Sequence, residues 1–132
     1  MVTTHEHETI ARARELYEQA DQDPIAYWAT RARNEVHWDT PFTEVLDWSN
    51  PPFARWFADG TTNACYNAVD RHVESGHGDR VALYFEGEPG DAQAVTYADL
   101  QARVNQTANA RESLGGTKGD RVAIYLPMLV ET

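Results

Sequence analysis

The sequence predicts a protein of the α/β class, although the residues present have α+β character. An N-terminal helical region, here called the helical collar, precedes the first strands and helix of an α/β layer. Two observations lead to this prediction. Apolar residues recur at helical spacing in the N-terminal part, and β-forming residues dominate short segments beyond residue 80. We therefore expect a helical region over residues 1–77 and the start of an α/β domain over residues 78–132. A hydrophobic content of 42% allows one globular core.

The collar begins with a predicted surface helix from Glu8 to Ala20. Its apolar residues at helical spacing are Ile10, Ala13, Leu16, Tyr17 and Ala20. Asp23 is the predicted N-cap of a short second helix, with Pro24 at its first position. The stretch from His37 to Phe57 holds three of the four tryptophans but no sustained period. This pattern indicates an irregular segment that is held in place by the packing of its aromatic side chains.

A third helix is predicted after the turn at Asp59 and Gly60, with Asn63 as its cap. The positions expected to face inward are Ala64, Tyr66, Val69 and Val73. We expect Gly76 or Gly78 to end this helix, because glycine readily adopts the left-handed conformation that closes helices.

The second part opens with a predicted β-hairpin. Arg80 to Glu86 is rich in β-forming residues, Glu88 to Ala92 contains the turn residues proline and glycine, and Ala94 to Tyr97 can return as the partner strand. Thr96 to Asp99 is similar to a capping box and predicts a helix that runs to Leu114. The residues expected on its apolar face are Tyr97, Leu100, Val104 and Ala108.

The last predicted element is a strand from Arg121 to Leu126. Its nearly continuous apolar run is typical of a strand buried on both faces of a parallel sheet. A strand, a helix and a further strand would open a βαβ unit, and Pro127 would end it. We therefore expect this chain to contain only the beginning of a parallel sheet.

Charge and composition exclude several classes of partner. With 21 acidic and 11 basic residues the net charge is -10, which disfavours binding to nucleic acid or to anionic membranes. The same charge suits an isolated site for ATP or CoA poorly. Cys65 is the only cysteine, no secretion signal is visible and no stretch approaches a membrane span. We therefore expect a cytoplasmic protein.

Two groups of polar residues on the third helix invite chemical interpretations. The triplet Asp70-Arg71-His72 suggests acid/base chemistry, but a structural hydrogen-bond and ion-pair cluster is the favoured interpretation. Cys65, His72 and His77 could together bind zinc, whereas a small buried thiol beside a surface histidine is the commoner arrangement.

Three further motifs are interpreted as structural. The run His5-Glu6-His7 would need more ligands to hold a metal and is expected to be a frayed tail. Gly76 to Gly78 and Gly115 to Gly119 resemble phosphate loops, yet both precede predicted strands, so they are interpreted as turns. We assign no catalytic, cofactor-binding or metal-binding residue to this chain.

Several short segments keep an order and spacing that resemble one enzyme family. They are DPIAYW (23–28), WDTPFTEVLD (38–47), WFADG (56–60), Asn63, Asn67, Asp70 to His72, EGE (86–88) and KGDRVAIYLPM (118–128). Together they resemble the N-terminal region of AMP-forming acyl-CoA synthetases in the adenylate-forming superfamily, and acetyl-CoA synthetases in particular.

This resemblance implies a parent enzyme that converts acetate, ATP and CoA to acetyl-CoA, AMP and pyrophosphate. It implies ATP, magnesium and CoA as ligands of the full-length parent, and an α/β domain that begins here. The motifs that hold these ligands in the family are not found in this sequence, so the chain looks truncated before them. We expect no ligase activity from the chain alone. The alternative is a non-enzymatic interaction or oligomerisation module, whose unfinished sheet would bind the remainder of a synthetase or a second copy.

Two positions depart from the family pattern. Arg111 stands where the family usually has leucine, and Gly116 stands where it usually has an aliphatic residue. We expect the Arg111 guanidinium to lie on or beside the buried face of its helix, at a cost on the order of 3 kcal/mol if it is unpaired and does not extend to solvent. Relaxed selection would explain both changes, and restoring leucine at position 111 would then raise the melting temperature.

Overall fold

The computed structural model describes the backbone of residues 4–131 and the side chains of residues 9–131. Backbone contacts divide the chain into two units, which meet between Asn63 and Ala64. Helices and two small antiparallel sheets make up the structure, which confirms the mixed α and β class. A domain boundary at residues 77 and 78 stays a prediction. No helix within the described residues is long and apolar enough to cross a membrane.

The first unit opens with two consecutive helices, α1 (Thr4–Gln22) and α2 (Pro24–Glu35). Asp23 separates them and caps α2, because its Oδ1 accepts a hydrogen bond of 2.9 Å from the amide of Ala26. Pro24 occupies the first turn, where the amide that proline lacks would have no helical partner. The predicted cap and helix start are both confirmed.

An aromatic cluster of Trp38, Phe42 and Phe57 holds the chain that follows α2. The Trp38 indole donates a hydrogen bond of 2.8 Å to the carbonyl of Ala32, which fixes the ring against α2. Two short strands, β1 (Leu46–Asp47) and β2 (Arg55–Trp56), pair antiparallel nearby. The other two tryptophans of this stretch, Trp48 and Trp56, are exposed. The packing of aromatic side chains therefore holds only part of the stretch in place, whereas the prediction had it for the whole stretch.

The second unit begins with a helical segment over residues 64–77, which contains the π-helical turns Tyr66–Asp70 and Val73–His77. Val69 is buried as predicted, and Tyr66 and Val73 are half-buried. The inward position predicted for Ala64 is wrong, because the first turn faces solvent. Gly76 leaves the helical conformation with φ 80°, as predicted for a helix-ending glycine.

A β-hairpin follows, in which β3 (Val81–Glu86) pairs antiparallel with β4 (Ala92–Thr96). The turn is closed by a hydrogen bond of 2.8 Å from the amide of Gly87 to the carbonyl of Asp91. Val95 on β4 is 1% exposed and forms the centre of this small core. The predicted hairpin is confirmed, with the return strand starting two residues earlier than expected.

Helix α3 (Tyr97–Ser113) starts at the predicted capping box. The Thr96 hydroxyl accepts a hydrogen bond from the Asp99 amide at 3.1 Å, and the Asp99 carboxylate accepts one from the Thr96 amide at 3.4 Å. Leu100 and Val104 are half-buried, whereas Ala108 is exposed, so the predicted apolar face is covered only near the start of the helix.

The strand predicted from Arg121 to Leu126 is wrong in this structure. These residues are exposed and irregular, and within residues 4–131 no strand pairs with them. A strand exists only where a neighbouring strand takes up its backbone amides and carbonyls. The hairpin is antiparallel and adds no strand beside this segment, so the expected βαβ opening and parallel sheet are not formed.

Candidate functional site

The helical segment over residues 64–77 packs on α3 through contacts that include one hydrogen bond and one ring contact. The Gln101 side-chain amide donates a hydrogen bond of 2.8 Å to Oδ1 of Asp70, at a partly buried position. The rings of His72 and Tyr97 lie with centroids 4.6 Å apart and planes tilted by 34°. Both contacts reach from the predicted polar triplet to α3, so they connect elements that are distant in the sequence.

Carboxylates and partial burial raise the pKa values of two groups at the start of this segment. The Tyr66 hydroxyl donates a hydrogen bond of 2.7 Å to Glu74, which raises the pKa of the tyrosine because ionisation would place two negative charges together. Partial burial, and secondarily the nearby Asp70 carboxylate, raises the pKa of the Cys65 thiol. A raised pKa keeps this thiol protonated, which is the opposite of an activated nucleophile.

The zinc interpretation of Cys65, His72 and His77 finds no geometric support. Among the described side chains, no group of three or more histidine, cysteine, aspartate or glutamate residues could hold a metal ion. Cys65 is exposed as a residue, although its thiol is partly desolvated, so the alternative of a buried thiol is also wrong: the residue lies in the solvent-facing first turn. The side chains of His5 to His7 lie outside the described residues. The absence of a metal from this chain stays a prediction.

The loop from Gly76 to Gly78 connects a helical segment to a strand. The carbonyl of Gly78 accepts a hydrogen bond of 3.0 Å from the amide of Ala98, and the carbonyl of Arg80 accepts one of 3.0 Å from the amide of Tyr97. These amides belong to the first turn of α3, the kind of position that binds phosphate when it is free. Here backbone carbonyls and the Asp99 carboxylate already occupy the helix N-terminus.

The loop from Gly115 to Gly119 follows the C-terminal end of α3, where the helix dipole repels anions. The Thr117 amide and hydroxyl both donate to the Asp120 carboxylate, at 2.6 and 3.1 Å. These hydrogen bonds, the amide's first, lower the pKa of Asp120 because they stabilise its charged form. A carboxylate therefore sits where a phosphate loop would hold its ligand.

Neither glycine loop thus offers a site for phosphate groups, and the absence of ATP, magnesium and CoA sites from this chain stays a prediction. Phosphate groups need free amides at a helix N-terminus or clustered cations. In the first loop the Gly78 carbonyl accepts from an α3 amide, and in the second loop the amides of Gly115 and Thr117 donate to a carbonyl and to a carboxylate of the chain itself. The geometry favours turns at both loops, which agrees with their interpretation from sequence.

The Asp59 side chain has a role that the sequence did not indicate. The Asp59 carboxylate accepts hydrogen bonds from the hydroxyl and amide of Thr43 and from the amide of Glu44, which lowers the pKa of Asp59. Its neighbour Gly60 marks a turn, but nothing local connects Asp59 to a residue 16 positions earlier.

Arg111 lies beside the apolar residues of α3, as predicted, but it is exposed, so its charge carries no cost of burial. Its guanidinium donates a hydrogen bond of 3.0 Å to the carbonyl of Thr117, and the side-chain stem lies over Gly116. A Cβ atom at position 116 would lie 2.8 Å from Cγ of Arg111 and 3.0 Å from its carbonyl oxygen. The two departures from the family pattern therefore fit each other in space, and neither requires relaxed selection.

Comparisons with known proteins account for nearly the whole chain. Residues 13–68 match the family model described as acetyl-coenzyme A synthetase N-terminus, and residues 69–132 match the model described as AMP-binding enzyme. The acetyl-coenzyme A synthetase of Streptomyces avermitilis is 62% identical over 89% of the chain. The synthetases of Mycobacterium tuberculosis and Burkholderia lata are 60% identical over 92% and 53% identical over 89% of it.

The chain spans 18% of the length of each of these three relatives. The two family matches follow one another without a gap, the N-terminal model first, and both agree with the segments that carry the resemblance in the sequence. The chain therefore belongs to the acetyl-coenzyme A synthetase family, in which it corresponds to the N-terminal region.

Proposed function

We propose that this chain forms the N-terminal part of an acetate-activating ligase, which converts acetate, ATP and CoA to acetyl-CoA, AMP and pyrophosphate. The observation that carries the proposal is the pair of family matches that together cover residues 13–132, with identities of 60% and above to synthetases from two genera. ATP, magnesium and CoA are proposed as ligands of the whole enzyme, bound by residues beyond this region. A cytoplasmic location is proposed with it, since one cysteine permits no intrachain disulfide.

The proposed role of this region is structural. Its polar groups are engaged in holding elements together: Asp70 with Gln101, Asp120 with Thr117, and Asp59 with Thr43. Catalysis requires groups that bind the transition state more strongly than the substrate, and groups already paired within the fold are poorly suited to that task. We therefore expect the 132-residue chain to lack ligase activity by itself.

A pyrophosphate-release assay tests this expectation directly. The purified chain is incubated with acetate, ATP, magnesium and CoA, with the full-length Streptomyces avermitilis synthetase as the positive control. We expect release at the rate of the protein-free blank. Acetate-dependent turnover that follows the chain through purification would contradict the proposed structural role.

A chimera tests whether the chain belongs to a ligase. Residues 13–132 replace the matched region of the Streptomyces avermitilis synthetase, and acetyl-CoA formation is measured. Because the two sequences are 62% identical in this region, we expect the chimera to keep activity within about tenfold of the parent. A folded chimera without activity would show that this chain is unsuited to an acetate ligase.

A further inference from the structure

We draw no further inference here: the strongest candidate, the apolar groove that Leu16, Tyr17 and Trp28 line between α1 and α2, carries none, because nothing in the structure shows what covers it.

Discussion

Replacing Gly60 by alanine should disrupt the aromatic cluster of the first unit. A Cβ atom built at this position lies 2.7 Å from Cζ3 and 2.9 Å from Cε3 of Trp38, and 3.1 Å from Cβ of Phe42. Ordinary carbon contacts are about 3.5–4.0 Å, so the indole would have to retreat by about 1 Å. The hydrogen bond from Trp38 to Ala32 and the edge contact with Phe57 oppose that movement.

Overpacking of this kind costs about 1–3 kcal/mol. Because Gly60 does not have a positive φ, the reduced backbone freedom of the unfolded chain returns about 0.4–1 kcal/mol on change to alanine. We therefore expect Gly60→Ala to lower the free energy of unfolding by about 1–2 kcal/mol and the melting temperature by several degrees. Urea denaturation followed by circular dichroism measures the first quantity, and a thermal scan measures the second.

Gly78→Ala is the matched control. Gly78 has φ -54°, which alanine adopts freely, and its Cβ would meet Ala98 and Val73 at 3.6 and 3.7 Å, an ordinary contact distance. This variant should be as stable as the wild type or slightly more stable. Trp38→Phe removes both crowded ring atoms, so Gly60→Ala should cost less in that background. Equal stability of the two alanine variants, or full additivity with Trp38→Phe, would refute the reasoning.

Three further substitutions test single contacts. Arg111→Leu removes the hydrogen bond to Thr117 and should lower the free energy of unfolding by about 0.5–1 kcal/mol in urea denaturation; an increase would restore the idea of relaxed selection. Asp59→Asn should flatten the pH dependence of the melting temperature. Because the fold lowers the pKa of Asp59, this carboxylate stabilises the folded chain above the ordinary aspartate pKa of about 4. The contribution is lost as the pH falls from that value through the lowered pKa. Unchanged acid sensitivity of the variant would contradict the role of the Thr43 contacts. Thr96→Ala removes the cap of α3 and should cost about 1 kcal/mol, whereas Thr96→Ser should keep most of the stability; equal loss in both would argue against the hydroxyl as the cap.

The elements that the sequence predicted correctly depend on neighbours within a few residues. Asp23 caps α2 through an amide three positions later, and Thr96 caps α3 in the same way. The hairpin from Val81 to Thr96 is closed by a glycine turn of fixed geometry. In each case the hydrogen-bonding partner lies beside the residue in the chain, so residue type and spacing suffice.

The candidate site was predictable in a more limited way. Both glycine loops were interpreted correctly as turns, although the order of elements was predicted correctly only for Gly76 to Gly78, which precedes a strand; Gly115 to Gly119 follows a helix and precedes no strand within the described residues. The contacts that occupy the polar groups were not predictable. Asp70 bonds to a residue 31 positions away, and Asp59 bonds to one 16 positions away, and no local pattern indicates either distance.

The sequence by itself determined the family and the positions of the capped helices. The matched segments and the helix caps each consist of residues that are close neighbours in the chain. Only the tertiary structure decided which residues are covered. It left residues 121–126 and Trp48 exposed, although the sequence pattern indicated a buried strand and a tryptophan that holds the chain in place. Burial requires a second surface, and a strand requires a neighbour for its backbone. An apolar run shows what a segment can bury, whereas the packing partners determine whether it is buried.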